Sequence, residues 1–289
     1  MFDLHIHSTY SDGSDDVETI IDKIKETNIK YFSITDHDTA LSAREILSSS
    51  KLQNKIKNYG LTYVTGVEFT CRFRGYKAHI LAYDYDPSSM TIQKFEKQIK
   101  EILKQKDVLR RAGIEELGYK FSTESTEFLN SRENVRKLDV ANCLVNDGYF
   151  NDPQDAIKLA IDKVKIKGKF RLDGEEVIRE LSKEGVKMVW AHSIHGINEE
   201  PLSFEEIENV AGQMKEVGLS GLECFYSLYN KEEISKLVNI ANKLGLFITS
   251  GSDYHGKNKY VSLAEISCDG TIDTENIVSA SKYFKNVIK

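Results

Sequence analysis

A chain of 289 residues with 40% hydrophobic content and a formal net charge of -6 can bury a substantial core, and its charge argues against a surface broadly built for nucleic-acid backbones while leaving room for a small anionic substrate. The four cysteines, Cys71, Cys143, Cys224 and Cys268, form no CxxC pair, which speaks against a zinc ribbon or disulfide framework and for reduced core thiols. No run approaches the roughly 18 apolar residues of a spanning helix, and the opening MFDLHIH lacks a basic n-region and an apolar h-region; the expectation is a cytoplasmic, soluble protein without a membrane partner.

In chain order, short apolar runs alternate with amphipathic segments. FDLHI is followed by a helix carrying Val17, Ile20, Ile21 and Ile24, then by YFSIT and a helix from about Thr39, which is the rhythm of βα units. LTYVTGVEF and AHILAYDY follow as strands. Between about Ser88 and Arg171 the sequence becomes charged and helix-rich, without long strand candidates, and reads as an inserted cap. VKMVWAH, LSGLECF and LFITSGSD then alternate with helical segments near Asp173 to Lys183, Phe204 to Val217 and Lys231 to Leu244. The expected architecture is α/β with a mainly parallel sheet: a metal-binding barrel from residues 1–88 and 171–289, and a helical selectivity cap from residues 89–170.

Six of the seven histidines lie at or near the ends of β-rich apolar runs: His5 and His7 in HIH, His37 in TDHD, His79, His192, and His255 in GSDYH. Asp12, Glu68 and Asp253 accompany them. Histidines spaced i, i+2 on a strand project from one face, so His5 and His7 can grip one ion. Asp12 follows in a turn that can aim a carboxylate back at the strand end. Either Asp36 or Asp38 can orient the His37 imidazole, or cap and solvate its loop. Glu68 closes LTYVTGVE, His192 closes VKMVWAH and Asp253 follows LFITSGS, at the carboxyl ends where a βα barrel builds its active site. An ionised Glu68 there needs a cation beside it. Imidazole plus carboxylate without thiolate suits Mn, Fe or Zn, and a set too large for one ion implies a cluster that activates water.

DLHIHSTYSDG, ITDHDT, GVEF, HILAYD, Ala191-His192 and GSDYHG together resemble the PHP (polymerase and histidinol phosphatase) family, particularly its stand-alone metal-dependent phosphoesterases. The resemblance spans the barrel portion nearly end to end. It implies a distorted seven-stranded TIM-like barrel holding three divalent ions. His5, His7, Glu68 and Asp253 would hold the first. Glu68 would bridge to a second bound by His79 and His192, and Asp12, His37 and His255 would hold the third. Ser193 stands where the family often has proline, and Ala40 to Ala43 lacks a glycine often found after TDHDT; both departures bear on subfamily and substrate.

Three divalent ions against the charges of Asp12, Glu68 and Asp253 leave a positive site, which favours phosphate. The implied reaction is hydrolysis of a phosphate ester of a nucleotide or small phosphorylated metabolite by metal-activated hydroxide, with Asp12 and Glu68 in the catalytic centre and His195 a candidate leaving-group acid beside its reading as a solvated loop residue. Arg136 and Lys137 are candidate substrate contacts in the cap. The basic stretch Lys163, Lys165, Lys167, Lys169 and Arg171 reads as a solvated face, with contact to additional phosphates as its alternative. Cyclic-phosphate phosphodiesterase, 5'-3' exonuclease on short oligonucleotides and histidinol phosphatase are alternative activities; an amidohydrolase or a non-catalytic PHP module is more remote. The expected partner is a small phosphorylated substrate, nucleotide or short oligonucleotide, without stable nucleic-acid binding. The sequence does not indicate an oligomeric state.

Overall fold

Period-two alternation in the first strand decides which side chains meet. In β1 (Phe2–Ile6) every residue is buried. Ile6 joins a core cluster with Val17, Ile20, Ile21 and Ile24 of α1 (Val17–Lys25), whereas Asp3 and His5, and His7 beyond the strand, alternate onto the opposite side. Asp16 caps α1 by accepting a hydrogen bond from the Thr19 N–H at 2.7 Å, satisfying one of the helix's open donors. The computed structural model describes residues 1–132, 135–194, 201–265, 284–285 and 287–289. It divides into two units, Met1–Phe95 with Leu172–Lys289, and Glu96–Arg171.

In the first unit, β1, β2 (Tyr31–Ile34) and β3 (Thr62–Val64) pair in parallel. The helices α2 (Leu41–Ser48) and α3 (Ser50–Asn58) lie between β2 and β3 in sequence. A second sheet has the order β6-β4-β5-β7-β8-β9, with β4 (Gly66–Phe73), β5 (Tyr76–Tyr83), β6 (Leu172–Asp173), β7 (Lys187–Trp190), β8 (Gly221–Tyr226) and β9 (Phe247–Gly251). The first sheet is completed by β10 (Val287–Ile288), antiparallel to β3. Three further helices follow in this unit: α8 (Gly174–Lys183), α9 (Phe204–Glu216) and α10 (Lys231–Leu244). They bear out the three helical segments expected there. The boundary between the units falls within α4 (Met90–Glu116).

Two expectations need correction. LTYVTGVEF is two strands in different sheets, so Glu68 is the third residue of β4 and does not close a strand. The crossing is at Gly66, where an added Cβ would lie 2.0 Å from Ser33 Oγ; only glycine permits that approach. β5 runs antiparallel to both β4 and β7, so His79, in its first half, sits mid-strand. A reversed strand presents its early residues at the rim where its neighbours present their ends. Among the described residues the strands form two sheets with no continuous ladder between them. They meet at the single bridges Ile6 to Tyr254 and His37 to Glu68.

The second unit is helical, with α5 (Thr123–Ser131), α6 (Lys137–Asn146) and α7 (Pro153–Leu159) following the later part of α4. Its own core contains Ile114, Leu129, Val140, Leu144, Ala156 and Ile161. Among the described residues, no helix is long and apolar enough to cross a membrane.

Candidate metal centre

The two histidines of HIH share one face, as their spacing requires: their ring centroids are 5.1 Å apart. Their Nε2 atoms each lie 3.1 Å from Glu68 Oε2, and His37 Nδ1 lies 3.1 Å from the same oxygen. The other Glu68 oxygen, Oε1, is 2.8 Å from His79 Nδ1 and 3.1 Å from His192 Nε2. Asp253 Oδ1 stands 3.5 Å from His5 Nε2 and 3.2 Å from His7 Nε2. Asp12 closes the set, with Oδ1 3.3 Å from His255 Nε2 and Oδ2 3.7 Å from His37 Nε2. All nine predicted metal-site residues therefore converge in one place.

This arrangement fits divalent cations. His5 Nε2, His7 Nε2, Asp12 Oδ1 and Glu68 Oε2 are buried without hydrogen-bond partners, an expensive condition unless a cation serves them. Ligands bound at about 2.0–2.2 Å stand roughly 2.8–3.6 Å from one another at angles between a right angle and the tetrahedral one, and the contacts of Glu68 fall at 2.8–3.1 Å. Four groups can each surround an ion: His7, Asp12, His37 and His255; His5, Glu68 and His192; His5, His7 and Asp253; and His37, Glu68 and His79.

The backbone is bent to bring these groups together. Asp253 and His192 adopt φ values of +57° and +29°, sparsely populated conformations of the kind held under strain at functional sites. β9 reaches β1 through Gly251, where an added Cβ would lie 2.1 Å from the Cβ of His5. Beyond that contact, the Asp253 N–H donates to His5 O and the His7 N–H to Tyr254 O, both at 2.8 Å.

Sequence reasoning missed Glu223, fully buried on β8. His5 Nδ1 donates to its Oε1, and the His192 N–H donates to its Oε2, both at 2.9 Å. That fixes the His5 tautomer with Nε2 toward Glu68, as carboxylates behind metal-bound histidines do. The only signal in the sequence is a carboxylate inside the apolar run LECF. Glu223→Gln is expected to reduce metal affinity about 10- to 100-fold, checked by metal titration; unchanged affinity would remove Glu223 from this positioning role.

Asp36 accepts from the Ser8 N–H and Oγ at 2.7 Å each and from Ser11 Oγ at 2.8 Å, tying down the turn that carries Asp12. Asp38, at φ +60°, accepts from the Thr70 N–H at 2.7 Å. His255 Nδ1 donates to Asp253 O at 2.8 Å, which leaves its Nε2 facing Asp12. Tyr226 and Lys259 were also not foreseen: the Tyr226 hydroxyl donates to Asp253 Oδ2 at 2.9 Å, and Lys259 Nζ donates to the same oxygen. A cleft of about 350 Å³ opens onto these groups.

The electrostatics of these side chains follow from their crowding. Burial pulls the His5 imidazole down, but Glu68, Glu223 and Asp253 together hold it well above the ordinary histidine value. Burial also opposes the His7 proton, yet Asp253, Glu68 and Asp12 push that imidazole up to about 9 from 6.5. For His37 burial prevails, and its imidazole falls well below the ordinary value. Burial would raise Glu68, but His79, His5 and His37 hold its carboxyl well below the usual carboxylate range.

A raised folded-state value stabilises below the unfolded value and ceases to do so as pH climbs through the folded one. Metal-free protein is therefore expected to lose melting temperature between about pH 6.5 and 9, while metal uptake, which must displace the His7 proton, strengthens over the same interval. Calorimetry at pH 7 and 9, without and with Mn²⁺, checks both trends; pH-independent melting and uptake would contradict them.

Of the remaining candidates, His195 lies outside the described residues, and so does Cys268. Cys71, Cys143 and Cys224 are buried and outside any disulfide, as expected. Lys137 is ion-paired with Asp162, and the Arg136 N–H donates to Asp139 Oδ2 at 2.8 Å at the start of α6. Lys163, Lys165, Lys167 and Lys169 are exposed, in keeping with a solvated face.

Comparison with known proteins agrees with this geometry. The chain is 24% identical over 264 residues to the phosphoribosyl 1,2-cyclic phosphate 1,2-diphosphodiesterase of Eggerthella lenta, covering 88% of this chain and 94% of that protein. It is 25% identical over 268 residues to the 5'-3' exoribonuclease Rnm of Escherichia coli, covering 91% and 88%. Its fold superposes with a TM-score of 0.76 on a crystal structure from Bifidobacterium adolescentis assigned to the metal-dependent phosphoesterases, at 23% identity over 99% of this chain and 96% of that one. Residues 3–160 match the PHP domain, more than half of the chain, and with the histidine-carboxylate cluster in place the protein belongs to the PHP domain family.

Proposed function

We propose that this chain is a metal-dependent phosphoesterase acting on a nucleotide or a small phosphorylated metabolite. The observation that carries the reading is the convergence of three imidazole nitrogens, from His5, His7 and His37, on one buried oxygen of Glu68, each at 3.1 Å. Such a donor set serves cations, and the relatives it resembles are named for cleaving phosphodiesters. The two sheets are read as the halves of the family's distorted seven-stranded barrel.

In this proposal three divalent ions, Mn, Fe or Zn, are shared among the nine residues. His5, His7, Asp253 and Glu68 would hold one; His79 and His192, with Glu68, would hold a second; Asp12, His37 and His255 would hold the third. When bound, the ions lower the pKa of water toward about 7 and neutralise charge on the attacking and leaving oxygens. The protein's own contribution is orientation. Glu223 aims His5, the Asp253 carbonyl aims His255, and Asp36 fixes the loop bearing Asp12. His195 is proposed as the leaving-group acid, and either Arg136 or Lys137 as a substrate contact.

Two observations favour a phosphodiester substrate as a second reading: both relatives named above carry the names of phosphodiester-cleaving enzymes, and they align over 94% and 88% of their own lengths. The test is phosphate or nucleotide release by metal-replete protein across nucleoside monophosphates and bisphosphates, cyclic phosphates, sugar phosphates including histidinol phosphate, and short oligonucleotides. Turnover of at least one class is expected. Metal-replete protein inert toward all of them would sink the reading.

A further inference from the structure

Besides seven of the metal-site residues, the cleft is lined by Tyr226, Asn258 and Lys259. Lys259 is the one Lys or Arg among these described lining residues. Its position is built, not a solvated accident. Asn258 Nδ2 donates to Asp12 O and the Lys257 N–H donates to Ser14 Oγ, both at 2.8 Å, so the short turn after His255 is fastened to the loop that carries Asp12. Lys259 Nζ lies 3.0 Å from the Tyr226 hydroxyl and 5.2 Å from that ring's centroid, and also reaches Asp253 Oδ2.

Two features separate this ammonium from a simple ion-pair partner. It takes Asp253 Oδ2, whereas His5 and His7 crowd Oδ1, so it does not compete for the oxygen that faces the imidazoles. An ammonium also carries three donors, and Asp253 and Tyr226 account for two. The side chain is 27% exposed and lines the cleft, so the third donor is open to whatever enters.

We infer that Lys259 anchors the substrate, donating a charge-assisted hydrogen bond to a non-bridging oxygen of its phosphate group. This rests on the phosphoesterase reading above. Asp253 and Tyr226 hold the ammonium in place before substrate arrives, so little side-chain freedom is lost on binding.

The test compares metal-loaded wild type, Lys259→Met and Lys259→Arg, using inorganic phosphate as the probe in calorimetry, with elemental analysis of each protein and KM and kcat on whichever ester wild type cleaves. Lys259→Met is expected to bind phosphate about 10- to 100-fold more weakly, to raise KM more than it lowers kcat, and to keep its metal. Lys259→Arg should recover most of the affinity. Wild-type phosphate affinity in Lys259→Met would overturn the inference. Loss of metal from Lys259→Met would overturn it too, assigning the lysine to support of Asp253. If wild type cleaves no ester yet binds phosphate through Lys259, the anchor stands and the phosphoesterase reading falls.

Discussion

Glu68→Gln is expected to lower kcat/KM by about 10³-fold or more and to strip metal from the protein. The substitution keeps shape and volume but replaces one acceptor oxygen with an amide NH₂, which cannot bind a cation, and removes a negative charge from a fully buried position. Both oxygens are in use: Oε2 faces His5, His7 and His37, and Oε1 faces His79 and His192. Five of the other eight predicted ligands stand within 3.1 Å of these two oxygens. The variant should also lose the rise in melting temperature that Mn²⁺ gives wild type, because only a ligand bound by the folded state stabilises it. Wild-type metal content together with wild-type turnover would contradict the role given to Glu68.

Asp12→Asn and His255→Ala are expected to reduce turnover about 10²- to 10³-fold while the protein keeps its fold and part of its metal. Asp12 stands at the edge of the cluster, its side chain 31% exposed, and pairs with His255, His37 and His7. Its loss therefore removes one ion's ligands and spares the Glu68 centre. Elemental analysis beside initial rates checks this. Undiminished activity in either variant would refute the third ion's proposed role.

The site was legible in the sequence because most of its ligands occupy positions that local chemistry exposes. His5 and His7 flank Ile6 at the end of a strand, so one periodicity sends isoleucine into the core and both imidazoles into the site. Asp253 and His255 are joined through the Asp253 carbonyl, a contact between near neighbours in the chain. What the sequence concealed depends on tertiary pairing. LTYVTGVEF is continuous in composition, and its passage from one sheet to the other is marked only by Gly66, whose need becomes plain once Ser33 is known to lie against it. The reversal of β5 had a local sign, the Arg74-Gly75 turn with φ +45° and +100°, but the adjoining runs suit parallel strands equally well. Glu223 and Lys259 are brought to the cluster by strand pairing and by the turn after His255, and neither carries a motif.

The most direct test of the account is a titration of chelator-stripped protein with Mn²⁺, following bound metal and phosphoester hydrolysis in the same samples. Hydrolysis should be absent in the stripped protein and rise with occupancy as Mn²⁺ fills the histidine-carboxylate cluster. Full activity without metal, or a filled cluster that hydrolyses no phosphate ester, would contradict it.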